Sequence, residues 1–427
     1  MTSPSELVAA TANVLPITEI FGQGDNEYNT FRIPALVFHN DTFLAFCEGR
    51  KQSFRDWGPM DLVMRRGFLK GDNIDWEDIK VIASFENRRT MNPVPLVDKH
   101  KNAIILVFTT YPTEKNEADM IKEEKYICRV HVIKTLDEGQ TWSSPADITE
   151  ETLGKLSRPP NIYSPGPGHG IQLSTGRLIV PGNMTWKPVE EEGFFAKITQ
   201  FVMSLFDTFY GTESLSNVLY SDDGGNTWHL SNTVQHTKDD NDHPIHSNEC
   251  QAVELEDGSI CVNSRTLGTA YRQQAFSNDG CVSFHRSELT QLEEPCHMMS
   301  KIMPTVKSFG GCQASLVGFP APQHLLCKND QKIWVLFTNP ASNTTRINMS
   351  VRLSRDGCQT WSRPWLLDPY PSAYSDITYY GMHQLPDGTS TCLFACLHES
   401  GSAHPYERIV FQKFSLLDLL QGLEIAK

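Results

Sequence analysis

Four copies of one short phrase constrain this chain more than any other feature. Thr135-Leu136-Asp137-Glu138-Gly139-Gln140-Thr141-Trp142 and Ser221-Asp222-Asp223-Gly224-Gly225-Asn226-Thr227-Trp228 share the pattern S/T-x-D-x-G-x-T-W. Ser354-Arg355-Asp356-Gly357-Cys358-Gln359-Thr360-Trp361 differs only in placing its glycine one residue early. Ser277-Asn278-Asp279-Gly280-Cys281-Val282-Ser283-Phe284 is a worn copy with Ser for Thr and Phe for Trp. In all four the Asp precedes the aromatic residue by five positions. An Asp that bonds nearby amides, followed by a glycine tolerant of positive φ, makes a tight turn. A Thr-aromatic pair then starts a returning strand. Four such hairpins in one chain indicate a supersecondary unit repeated in space. They speak to fold, and leave chemistry to other residues.

The rest of the chain agrees. Short β-branched or aromatic runs such as Ala35–Phe38, Thr42–Cys47, Ala103–Thr110, Tyr126–Ile133, Arg177–Val180, Ser259–Val262, Ile333–Thr338 and Thr391–Leu397 alternate with turn pairs such as Asp257-Gly258 and Asp387-Gly388. The chain is therefore expected to be all-β, and the repeated hairpins favour a β-propeller over a barrel or sandwich. Without a linker, low-complexity tract or break in composition, it reads as one domain over 1–427, with a short lead-in over about 1–20. The net charge of −14 argues against nucleic acid or an electrostatically bound anionic membrane as partner. The 11 cysteines include no C-x-x-C pair and read as reduced and mostly buried. The N-terminus lacks a secretory pattern and no apolar run reaches membrane-span length, so the expected location is cytoplasmic or peripheral to a membrane. Sequons at Asn40, Asn183, Asn343 and Asn348 are then expected to be unused.

Three arginines occupy unusual places. Arg32 stands in Phe31-Arg32-Ile33-Pro34, Arg265 ends the apolar strand Cys261-Val262-Asn263-Ser264-Arg265, and Arg346 follows Asn343-Thr344-Thr345. In a propeller, arginines at strand ends converge on the axis, where guanidiniums suit fork-like capture of a carboxylate or phosphate. Taken singly, each also fits a surface or ion-pair role. Asp56, Glu249, Glu399 and Tyr374 are the other candidates, although a residue of each kind in such a place is more often a solvated carboxylate or a packed tyrosine. His236, His243 and His246 are too loosely spaced to mark a metal site.

Together these motifs resemble the sialidases, whose signature is an F/Y-R-I-P arginine followed by several Asp boxes. The resemblance runs from about Phe21 to about Phe414. Segments such as Ala45-Phe46-Cys47-Glu48-Gly49-Arg50, Arg89-Thr90-Met91-Asn92-Pro93, Asn248-Glu249-Cys250-Gln251, Gly311-Cys312-Gln313 and Ala373-Tyr374-Ser375-Asp376 are similar to the animal cytosolic and plasma-membrane branch, most of all the plasma-membrane, ganglioside-cleaving sialidase-3 type. The resemblance implies a six-bladed propeller and a retaining exo-α-sialidase acting on gangliosides, oligosaccharides or glycoproteins. It implies that Arg32, Arg265 and Arg346 grip the sialic acid carboxylate and that Glu399 fixes the first arginine. It implies Tyr374 as nucleophile, Glu249 as its base and Asp56 as acid/base, with Arg50, Met91, Asn92, Gln313 and Glu117 lining the sugar, and neither metal nor cofactor. A trans-sialidase and a non-cleaving sialoglycan-binding propeller are the alternatives. Where relatives often carry Tyr-x-Tyr after the V-P pair, this chain has Asn183-Met184-Thr185.

One stretch departs from strand patterning. Phe194, Phe195, Ile198, Phe201, Val202, Leu205, Phe206 and Phe209 recur at helical spacing, which predicts an amphipathic helix inserted over about 190–212 and gives a possible peripheral membrane contact.

Overall fold

The computed structural model describes residues 15–123, 126–187, 212–238, 244–267, 269–295, 310–328 and 330–425. The inserted helix expected over 194–209, and His243, lie outside the described residues. Among the described residues no helix is long and apolar enough to cross a membrane. The ten described cysteines are free thiols, and all but Cys327 are buried.

Regular structure is dominated by antiparallel strands in five hydrogen-bonded sheets. The first is built from Thr30–His39, Thr42–Arg50, Met60–Lys70, Asn73–Trp76 and Lys80–Ala83, and the second from Arg88–Asp98, Ala103–Pro112, Arg129–Thr135 and Ala146–Asp147. The third centres on Leu178–Trp186 and Glu213–Ser221, and the fourth on Pro244–Glu254, Ile260–Leu267 and Tyr271–Ser277. The fifth has seven strands. Six blades were expected. The fifth sheet fuses two four-stranded groups, because the 20-residue strand Trp365–Gln384 pairs first with Ile347–Ser354 and then with Ser390–Ser400. The strand runs predicted from sequence all fall on observed strands except at a few first residues: Arg177 and Ser259 each precede their strand by one position, and in Tyr126–Ile133 pairing starts at Arg129.

Neighbouring sheets touch mainly through their inner strands. Thr30–His39 packs against both Arg88–Asp98 and Trp365–Gln384, so the cycle of contacts closes on itself. At its seam the strand Thr18–Gly22 pairs with Arg408–Ser415. The apolar core is divided accordingly. Phe46, Leu62 and Phe108 pack between the first two sheets, Val94, Leu178 and Trp228 between the second and third, and Phe319, Trp334 and Phe394 between the two halves of the fifth. Side chains from both faces of most strands are therefore buried, which is why the runs read as apolar in sequence.

The four repeated phrases form turns of one design. Asp137 accepts the Thr141 amide at 2.9 Å and the Thr141 hydroxyl at 2.6 Å. Asp223 takes the same groups of Thr227 at 3.0 and 2.8 Å, Asp279 those of Ser283 at 2.9 and 2.5 Å, and Asp356 those of Thr360 at 2.9 and 2.5 Å. The two residues after each Asp both have positive φ: Glu138 and Gly139, Gly224 and Gly225, Gly280 and Cys281, Gly357 and Cys358. One glycine at either position relieves half of the strain, which explains how the glycine of the fourth box stands one residue early. The aromatic residue then packs inward, Trp228 completely and Trp142 against Phe46, 6.1 Å between ring centroids.

Hydrogen bonds from Thr141 lower the Asp137 carboxyl from its ordinary 3.8 to about 2. A depressed folded-state pKa means that the bonded carboxylate contributes fully above about pH 4 and that the contribution is lost as pH falls toward 2. Asp137→Asn should therefore destabilise the protein at neutral pH by roughly 1 kcal/mol, the worth of one capping carboxylate. The gap in melting temperature between variant and wild type should narrow below pH 4, and a gap independent of pH would contradict this account.

Candidate active site

Four inner strands lose register near the same end of the ring: at Arg32/Ala35, Met91/Val94, Ser247/Cys250 and Ser372/Ser375. Bulges re-aim side chains and free backbone amides from the ladder. Two of them carry a proline, Pro34 and Pro93, which has no amide to donate, and the residue before each lies at positive φ, Ile33 at 62° and Asn92 at 57°. That conformation is costly for a β-branched residue. Buried carboxylates collect the released amides. Glu399 accepts from Ile33 at 3.1 Å and from Tyr374 at 3.0 Å, and Glu48 accepts from Asn92 at 2.8 Å. Gln313 does the same for Ser375 at 2.9 Å.

The bulges open onto a cavity of about 600 Å³ lined by Arg32, Asp56, Met91, Asn92, Glu117, Glu249, Arg265, Arg346 and Tyr374, among others. Arg32 donates to Glu399 at 3.0 Å and lies 4.2 Å from the Tyr406 ring centroid. Arg265 donates to Glu249 at 2.8 Å and to the Gly310 carbonyl at 2.9 Å through Nε. Arg346 donates to the Tyr406 hydroxyl at 2.9 Å and the Gly311 carbonyl at 3.2 Å. Among the described residues Arg346 makes no ion pair, so its charge faces the cavity held only by neutral acceptors. A site with that imbalance favours an anion.

Tyr374 sits between these arginines and donates its hydroxyl to Glu249; Arg265 lies 3.4 Å from the same oxygen. Burial and then the Glu249 charge push the phenol well above its ordinary value, while Arg265, Arg346 and Arg32 pull it back. Asp56, on the loop after Thr42–Arg50, contacts Arg50 at 2.8 Å and Arg32 at 3.3 Å with its side chain half-exposed. Burial acts to raise its pKa, but Arg50 and Arg32 more than offset this and hold it below the usual carboxylate range. Glu117 opens the short helix Glu117–Lys122. Its side chain is solvent-accessible within the cavity, yet desolvation and the nearby Asp56 charge, opposed by Arg89, push it up to about 7.

The structure thus brings Arg32, Arg265, Arg346, Tyr374, Glu249, Asp56, Met91, Asn92 and Glu117 to one cavity. Two expected sugar-lining residues stand elsewhere. Arg50 is fully buried, with its guanidinium committed to Glu48, the Phe54 carbonyl and Asp56. Gln313 is 1% exposed and divides its amide between Ser375 and the Pro167 carbonyl. Both lie behind the wall because the bulged strands need their polar ends as supports. Glu399 is likewise fully buried beneath Arg32. Asn183 and Thr185 do line the cavity, together with Ser164 and Ser214, as a wall of small polar groups. His236 and His246 face one another, ring centroids 4.9 Å apart, and among the described residues no cluster of three metal-ligating side chains occurs.

Sequence reasoning missed Tyr406, which packs on Arg32, bonds Arg346 and stacks on Phe54. It sits in a turn that Glu407 fixes by accepting the amides of Ser402, Ala403 and His404; the acid at Glu407 is the only local signal. Arg89, within Arg89-Thr90-Met91-Asn92-Pro93, lines the cavity, donates to the Pro112 and Lys115 carbonyls at 2.6 Å each, and has no partner for Nη2 among the described residues.

Comparison with known proteins is consistent with this geometry. Residues 41–385 match the BNR repeat-like domain. The chain is 30% identical to sialidase-3 of Bos taurus over 434 residues, covering 95% of this chain and 94% of that protein. It is 29% identical to sialidase-4 of Mus musculus, covering 96% and 95%, and 30% identical to mouse sialidase-2, covering 95% and 97%. Among solved structures, a Hadza microbial sialidase superposes with a TM-score of 0.70 at 23% identity, covering 94% of this chain and 68% of that one. An intramolecular trans-sialidase from Ruminococcus gnavus superposes at 0.66 with 16% identity, covering 96% and 99%. At those identities the two structures speak for the fold alone, and it is the repeat family together with the curated relatives that shows the chain to belong to the sialidase family of glycoside hydrolases.

Proposed function

We propose that this protein is a retaining exo-α-sialidase that removes terminal sialic acid from gangliosides, oligosaccharides or glycoproteins, with Tyr374 as nucleophile. The observation that carries the reading is the Tyr374–Glu249 hydrogen bond set among three arginines, one of which has no ionic partner among the described residues. We also read the chain as one domain of six blades, counting the two halves of Trp365–Gln384 separately; of the seven apolar clusters among the described residues, six lie between successive strand groups and support that count, and the seventh lies around Tyr374.

The chemistry follows from charge. The anomeric carbon of sialic acid bears a carboxylate, which Arg32, Arg265 and Arg346 would hold in a fork. A carboxylate nucleophile would meet that charge, whereas a neutral phenol does not; sialidases with a Tyr nucleophile are a named exception to the two-carboxylate rule. Glu249 takes the Tyr374 proton as the phenol oxygen bonds to the anomeric carbon, and Asp56 gives its proton to the departing glycosidic oxygen. Asp56 then takes a proton from water, the hydroxide attacks the anomeric carbon, and Tyr374 leaves and recovers its proton from Glu249. Two inversions give net retention. An incoming carboxylate shares Arg32 with Asp56, which weakens one of the two ion pairs that depress Asp56 and shifts its pKa toward the protonated form the first step needs.

Incubation with an α-sialoside, followed by proton NMR, tests the reading: the α anomer of free sialic acid should appear first, and the corresponding sialoside amide should be inert. Initial release of the β anomer, or equal turnover of acid and amide, would overturn it. Added lactose distinguishes transfer from hydrolysis in the same tube. Any membrane contact through 194–209 belongs to the same proposal and is separable by vesicle flotation.

A further inference from the structure

The loop that carries Asp56 also carries two aromatic residues, Phe54 and Trp57, which remain 47% and 46% exposed although both line the cavity. The loop is tethered at its centre: Arg50 donates to the Phe54 carbonyl and pairs with Asp56 at 2.8 Å. The Phe54 ring stacks on Tyr406 at 5.5 Å with 22° between planes, which fixes one of its faces and leaves the side chain open to the cavity. Below the loop, Lys51 donates to the Pro59 carbonyl at 3.1 Å and closes its base. Two half-exposed aromatic rings flanking one carboxylate at a cavity mouth form a surface suited to an amphipathic ligand.

The identity of that ligand follows from the position of Asp56 and rests on the acid role proposed above. An acid that protonates the glycosidic oxygen lies within hydrogen-bond reach of it. The first sugar beyond that oxygen must then lie beside Asp56, among its sequence neighbours Phe54 and Trp57. Hexopyranoses carry C–H bonds on one face, and an aromatic ring covers such a face while the hydroxyls stay hydrated. Sialic acid itself, gripped through its carboxylate by the arginines, has no need of these rings.

We propose that Phe54 and Trp57 form a platform for the leaving-group sugar, so that the enzyme prefers sialosides whose aglycone begins with a hexopyranose. Trp57 is the main element, since one face of Phe54 is already covered by Tyr406. The platform also brings the glycosidic oxygen to Asp56, so its loss should appear in the transition state and hence in kcat/KM.

The test compares 3′-sialyllactose with methyl α-sialoside on wild type, Trp57→Ala and Trp57→Phe. Both substrates release a basic alkoxide, so both depend on protonation by Asp56; only the first presents a sugar face. Trp57→Ala should lower kcat/KM for sialyllactose about tenfold more than for the methyl sialoside, the scale of one aromatic contact. Trp57→Phe should restore most of that difference. Equal losses on both substrates would overturn the platform. Absence of wild-type turnover on both substrates would overturn the sialidase reading and the platform with it.

Discussion

Tyr374→Phe should fold as the wild type does and lose activity on the order of a thousandfold in kcat. Only one oxygen is removed. The ring stays buried, its amide stays on Glu399 at 3.0 Å, and Glu249 keeps Arg265 at 2.8 Å, so no charge is left stranded. What disappears is the atom that would bond to the anomeric carbon. Glu249→Gln should give a loss of similar scale by a different route, because the phenol, already held above its ordinary pKa by burial, keeps its proton. Melting curves and steady-state rates on a fluorogenic sialoside check both. A Tyr374→Phe enzyme within tenfold of wild-type kcat would remove the tyrosine from the mechanism.

Glu399→Gln should damage stability and activity together. Glu399 is fully buried and accepts from Arg32 Nε at 3.0 Å, the Ile33 amide at 3.1 Å and the Tyr374 amide at 3.0 Å. A glutamine offers one acceptor oxygen where two are used, and turns an amide donor toward another donor. It also removes the counter-charge of buried Arg32, and breaking a buried pair from one side costs about 3–5 kcal/mol. The strained Ile33 bulge and the Tyr374 bulge would both loosen, so kcat/KM should fall at least about a hundredfold, as expected when a catalytic group moves by about an ångström. A variant with wild-type melting temperature and activity would show that the carboxylate is not the keystone described above.

The unequal legibility of this chain has a physical origin. The Asp boxes could be read because each bond that makes them joins residues at most four apart, all between Thr135 and Thr141 in the first copy. Even the displaced Gly357 obeys the local rule once two consecutive left-handed residues are recognised. Arg32, Arg265 and Arg346 could be nominated because charge at the end of an apolar run is unusual, but only the ring brings residues from distant parts of the chain together. Tyr406, Glu48 and Arg89 carry no comparable signal, since their roles depend on partners brought alongside by sheet curvature. Arg50 and Gln313 were placed one layer too far forward for the same reason: a motif gives residue identity, while depth behind the wall comes from packing. The helix Leu416–Ile425 also escaped notice. Its residues Leu416, Leu417, Leu419, Leu420 and Leu423 do fall at helical spacing, but over only ten residues, a short signal at the end of a strand-rich chain.

The seam between Thr18–Gly22 and Arg408–Ser415 also sets a timetable. During synthesis the first sheet is made almost at once, yet the strand Thr18–Gly22 lacks its partner Arg408–Ser415 until nearly the whole chain has emerged. Until then the growing protein has unpaired strand edges, which invite association with other chains. Closure couples the earliest and latest segments in one cooperative step, so a ribosome that stops a few dozen codons early releases an open arc rather than a smaller enzyme.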